Sequence, residues 1–171
     1  MTTYRAYARA AALALILAAG TAPALAQMNA SEPDPAAWLR QVYDLYHRSE
    51  DNPKLQDQAN YRIVVKRASK SLAALFKKND ACEKKEKGVC AIDSDFVVDG
   101  QDFKLSDIKV GDTVIAGNKA TVIVSFTNLD AACVNTYDFV RESNQWKVND
   151  IESKCGTDAP ARIAKTLRDY K

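Results

Sequence analysis

The run Ala120-Thr-Val-Ile-Val-Ser-Phe-Thr-Asn128 decides the fold, because Val122, Val124 and Phe126 share one side of an extended chain and Thr121, Ile123 and Ser125 the other. Alternation of this kind predicts a strand with one buried face. Three more stretches carry the same β-branched and aromatic bias: Ile108 to Ile115, Val134 to Arg141 and Trp146 to Ile151. Turn signals at Ala116-Gly117-Asn118 and Ser143-Asn144 separate them. The C-terminal half therefore reads as an antiparallel meander.

Upstream the period changes from two to that of a helix. Pro35 to Ser49 reads as a first helix, with Asp34 as N-cap, Pro35 in the first turn and Trp38, Val42, Leu45 and Tyr46 as an apolar stripe. Asp51-Asn52-Pro53 ends it. A second amphipathic pattern runs from about Asn60 to Lys78, with Tyr61, Val64, Ala68, Leu72 and Phe76 on one face and Arg62, Lys66, Lys70 and Lys77 opposite. From Asp80 to about Asp107 periodicity fades, and the reading is an ordered connection with at most a short strand. A closing helix spans Pro160 to Asp169, capped by Thr157 or Asp158. Helices first and an antiparallel sheet after them define an α+β domain.

The N-terminus has a targeting pattern. Arg5 and Arg9 precede an apolar run from Ala10 to Ala19, and Gly20, Pro23 and Ala24-Leu25-Ala26 follow. These are the three regions of a secretory signal peptide, with the apolar run too short to span a bilayer. The expected layout is a signal peptide over 1–26, a flexible leader over 27–34 and one domain over 35–171. A periplasmic or secreted location follows, without stable membrane insertion after cleavage. Subtracting Arg5 and Arg9 from the 24 basic residues leaves 22 against 22 acidic ones, so the mature chain is close to neutral. That balance argues against nucleic acid as a partner.

Cys82, Cys90, Cys133 and Cys155 are the four cysteines, an even number that suits disulfides in an oxidising compartment. Three pairings are open on count alone. If the last two long strands form a hairpin turning at Ser143-Asn144, antiparallel register brings Cys133 near Cys155 and leaves Cys82 for Cys90. Neither pair has zinc-knuckle or Cys-x-x-Cys spacing, so no metal and no thiol redox chemistry are expected.

A Trp- and Tyr-bearing first helix, Asp93-Ser-Asp95-Phe96 followed by Gln101-Asp102, Gly111-Asp112 leading into a strand, and Trp146-Lys-Val-Asn-Asp-Ile151 resemble a bacterial family of small exported domains, domain of unknown function 3828. The resemblance covers most of the mature chain, although the cysteines and the lysine-rich loop depart from it. It implies a fold similar to nuclear transport factor 2, a curved, cone-like sheet wrapped by helices around a pocket. Such a fold hosts enzymes and binding modules alike.

Six residues are candidates for a site. Asp93, Asp95 and the later Asp99 and Asp102 gather carboxylates suited to a hard cation, but counting an EF-hand loop from Asp93 puts Val97 and Val98 where a ligand and the glycine belong. Turn capping is the competing role. Gln101 and Asp102 suit fixed polar contacts, structural or at a pocket mouth. His47, the single histidine, shares a helix face with Tyr43 and would suit a general base; an exposed helix position is its alternative. Nothing calls for a cofactor. The expected function is a nonenzymatic module binding a small ligand or another protein, immunity-type neutralisation being one form. A hydrolase or isomerase of the same fold and an envelope structural protein are the alternatives. Monomer and homodimer both remain open.

Overall fold

A computed structural model describes residues 33–170 of the chain. The expected signal peptide over 1–26 and most of the expected leader over 27–34 lie outside the described residues. The helices come first: α1 (Pro35–Ser49), α2 (Pro53–Gln56), α3 (Arg62–Val65) and α4 (Lys70–Glu86). The strands follow as β1 (Leu105–Val110), β2 (Val114–Ala116), β3 (Lys119–Asn128), β4 (Ala131–Glu142), β5 (Gln145–Cys155) and β6 (Ala161–Arg162), and α5 (Ile163–Asp169) closes the chain. The architecture is α+β, with the N-terminal helices packed on a curved, open antiparallel sheet.

α1 begins and ends where its sequence signals place it. The Asp34 carboxylate accepts the N–H groups of Ala36 and Ala37 at 3.0 and 3.2 Å, relieving two of the unpaired donors of the first turn. Its buried stripe includes Leu39, Val42, Tyr43 and Tyr46.

The continuous helix expected from Asn60 to Lys78 is instead two helices, α3 and α4, divided at residues 66–69. The cause is tertiary. The Ser69 N–H donates to the Val148 carbonyl at 2.7 Å, and the Val148 N–H to the Arg67 carbonyl at 2.9 Å, so the interruption pairs with β5. Ser69 then caps α4 through Leu72 N–H. α4 runs on past Lys78 to carry Cys82, and Lys87 ends it in the left-handed conformation.

Two further boundaries differ. The strand expected over Ile108 to Ile115 is split into β1 and β2, which both pair with β3. At the split the Gly111 N–H donates to the Ile123 carbonyl at 2.9 Å, and a Cβ there would lie 3.1 Å from that oxygen. The closing helix begins at Ile163 and not Pro160, because Ala161 and Arg162 pair with β5. The N-cap position is Arg162 and not Thr157 or Asp158; it makes no side-chain cap bond, and the first-turn Ala164 N–H is instead accepted by Asp150 of β5 at 2.9 Å. Arg162 bonds Asp138, Asp150 and Glu152, fastening this corner to β4 and β5.

The β4–β5 hairpin turns at Ser143-Asn144, both at positive φ, as a two-residue turn requires. A bulge leaves Asn149 without a partner and shifts the register by one. Cys133 therefore faces Cys155, 4.1 Å apart at Cα, and the two are bridged. Cys82 is bridged to Cys90. Bulged Asn149 receives hydrogen bonds from Ser69 and Ser71 at the start of α4.

The core lies between the helices and the inward side of the sheet. Val122, Val124, Tyr137, Phe139 and Ile151 are fully buried there. The segment 87–104 has little regular structure, yet Phe96, Val97 and Val98 are buried too and join this core. Phe96 stacks on Phe76 at 5.8 Å between ring centroids and tilts against Tyr61 at 5.3 Å.

Candidate functional site

Beneath the segment 93–104 lies a buried hydrogen-bond network. Tyr43 O–H donates to the Val97 carbonyl at 3.1 Å and lies 3.0 Å from the Tyr137 hydroxyl. Asn135 Nδ2 donates to Tyr43 Oη at 3.0 Å and to the Val97 carbonyl at 2.9 Å. A second amide, Asn128, donates to the Val98 carbonyl at 2.9 Å and accepts Lys104 N–H at 3.0 Å. Asp95 anchors the near end: its carboxylate accepts Tyr46 O–H at 2.6 Å and Val97 N–H at 2.9 Å.

The electrostatics agree with a structural role for these groups. Burial raises the pKa of Tyr43, with the nearby Tyr137 phenolic oxygen adding to the effect, and burial likewise raises Tyr46 and Tyr137. Such phenols stay protonated at physiological pH and serve as hydrogen-bonding groups. Withdrawal from solvent also raises the Asp95 carboxyl, against the lowering effect of the hydrogen bonds from Tyr46 and the backbone. Two buried polar atoms in this region, Asn135 Oδ1 and Ser153 Oγ, have no protein partner; they belong to cross-strand neighbours.

The outer side of the same segment is different. A trough of about 590 Å³ lies between the end of α1, α2 and residues 101–104. Ala59 and Phe103 give it an apolar floor, and Asp51, Gln56, Gln101, Asp102 and Lys104 give it exposed polar walls. A second hollow of about 370 Å³ shares Ala59, Gln101 and Phe103 and continues past Tyr61 to Asp93 and Ser94. Glu50 sits at the first hollow with its carboxylate committed: Oε1 accepts Leu105 N–H at 2.7 Å and lies 3.4 Å from His47 Nδ1.

The six sequence candidates thus fall into three groups. Tyr43 and Asp95 belong to the buried network. Gln101 and Asp102 line the trough, Asp93 lines its extension, and Gln101 Nε2 donates to the Asp93 carbonyl at 3.2 Å. His47 stands exposed on α1, linked to the trough only through Glu50. Among the described residues no three His, Cys, Asp or Glu side chains converge as a metal site would need.

Sequence reasoning missed Asn128 and Asn135, which hold the segment from the sheet. Their signal was available, because each is polar at an inward position of an alternating strand. It also missed the trough residues Asp51, Gln56 and Lys104. They lie in or beside turns, where polar residues are ordinary.

Compared with known proteins, the chain matches no family model, no curated protein and no solved structure.

Proposed function

We propose that the chain is exported and acts outside the cytoplasm as a nonenzymatic binding module, taking a small polar ligand or a polar segment of another protein in the trough beside residues 101–104. The observation that carries this reading is the contrast in engagement around one loop. The interior groups, Asn135 Oδ1 and Ser153 Oγ excepted, are consumed by internal hydrogen bonds, whereas Asp51, Gln56, Asp102 and Lys104 stand exposed around an apolar floor. Donors, acceptors and a partly buried aromatic in one hollow are the usual elements of a polar ligand site.

The extracytoplasmic setting is supported by the two disulfides and by the signal-peptide pattern. Among the described residues no helix is long and apolar enough to cross a membrane. The likeness to the domain of unknown function 3828 family belongs to the same proposal. It is supported by the position of Gln101 and Asp102, two of its motif residues, at the trough.

The test is an amide-resonance titration of the disulfide-intact chain with a panel of sugars, amines and short polar peptides. A binder is expected to shift residues 49–60 and 101–104, and to lose affinity when Asp102 or Gln101 becomes alanine. If every binder found leaves those resonances in place and ignores both substitutions, the trough is not the site.

A further inference from the structure

A separate cleft of about 250 Å³ lies between α4 and α5. Leu75 and Leu167 face it from the two helices, and Ala91 and Cys82 complete an apolar floor. On α4 the lining positions Leu75, Lys78, Asn79 and Cys82 follow the spacing of one helix face, so Lys78 stands over the cleft. Arg168 borders it from the last turn of α5. Apolar floor and cationic rim are therefore brought together by two helices distant in sequence.

The amide that α4 adds to the lining is already engaged. Asn79 Nδ2 donates to Glu83 Oε1 at 2.6 Å, and its Oδ1 accepts Ala91 N–H at 2.8 Å. Glu83, one turn beyond Asn79, is further drawn to Arg62. Two other cations of these helices are paired, Lys85 with Glu86 and Lys165 with Asp169. Among the described residues no carboxylate pairs with Lys78 or Arg168. The Cys82–Cys90 bridge fastens α4 to the chain leading into Ala91, so the floor is held in place before any ligand arrives.

We infer that this cleft binds a small amphipathic anion, a carboxylate on a short alkyl or aryl body. The body lies on Leu75, Leu167 and the disulfide, and the charge sits at Lys78 and Arg168. Burying apolar surface favours any such body at roughly 25 cal/mol per Å², so it is the two unpaired cations that choose the sign of the head group. An ammonium of the same shape would meet two like charges. The site shares no residue with the trough, and either can fail without the other.

The experiment titrates the full disulfide-intact chain with hexanoate, hexanol and hexylammonium and follows backbone amides. Hexanoate is expected to shift residues 75–82, 91 and 164–170 saturably, and to bind more tightly than hexylammonium. Lys78→Gln and Arg168→Gln should each weaken hexanoate about two- to fivefold, the range of an exposed ion pair, and leave hexanol unchanged. Both side chains are exposed, so the variants should keep the parent spectrum. The inference is overturned if hexanoate gives no saturable shift, shifts residues elsewhere, or binds no better than hexylammonium.

Discussion

The two sides of residues 93–104 follow opposite rules. On the inner side Phe96, Val97 and Val98 are buried, and each of their carbonyls meets a side-chain donor from Tyr43, Asn128 or Asn135. On the outer side Asp93, Gln101 and Asp102 stand in solvent. Burying backbone without regular structure is tolerable only if its polar groups are satisfied, and here α1 and the sheet supply the donors that a ladder would otherwise provide. One loop is thus core on one side and surface on the other, and the side that carries exposed polar groups around a hollow is where a ligand can be met.

The inner side depends most on Phe96. Phe96→Ala removes a buried ring stacked on Phe76 and tilted on Tyr61, and should cost about 3–5 kcal/mol. Urea unfolding measures it; a loss under about 1 kcal/mol would show that the inner side is not core at all. Tyr43→Phe is gentler in volume but removes one of the two side-chain donors to the Val97 carbonyl, one acceptor of Asn135 Nδ2 and the partner of the Tyr137 hydroxyl. About 1–3 kcal/mol is expected, and an unchanged unfolding midpoint would mean that the network does not hold the loop.

Asp95 sharpens the same contrast through pH. Its pKa is raised in the folded chain, so the native state holds its proton more tightly than the unfolded state does. The stability it contributes is present below the ordinary carboxylate value and is lost as pH rises through the raised one. On lowering the pH from about 7 to about 4, the parent should therefore gain stability relative to Asp95→Asn. A difference between the two that stays constant across that window would exclude Asp95 as a buried titrating anchor.

How much of this was legible depends on whether an element is specified locally. The β4–β5 hairpin was, because alternation sets the inward face and Ser143-Asn144 sets the turn; the Cys133–Cys155 pair followed. Even there the bulge at Asn149 was hidden, since its purpose is to meet Ser69 and Ser71, far away in sequence. The break between α3 and α4 was hidden for the same reason: helical spacing continues across residues 66–69 while the backbone bonds go to Val148. In the 93–104 segment the polar residues were visible, but not their assignment. Asp95 and Asp93 look alike in sequence, and it is the Tyr46 hydroxyl and the Val97 N–H that distinguish the anchor from the rim. Gly100 is similar. It lies where a Cβ would come within 2.8 Å of the Asp102 carbonyl, a reason that cannot be seen until the loop is closed by Asp95 and Gly100 pairing with each other.

The smallest effect falls on the outer side and is the most discriminating. Asp102→Ala removes an exposed carboxylate for which the fold has no evident use, so the stability change should stay within about 0.5 kcal/mol. Gln101→Ala gives up only the bond to the Asp93 carbonyl, itself exposed, and should behave alike. Calorimetry on the two variants beside Tyr43→Phe then separates the sides of the loop: near-parent stability outside, a clear loss inside. If Asp102→Ala instead unfolds as readily as Tyr43→Phe, the carboxylate is holding the loop closed, and residues 101–104 cease to be a free wall for a ligand. If stability is kept while a trough ligand is lost, the same substitution places the binding surface where the unspent polar groups are.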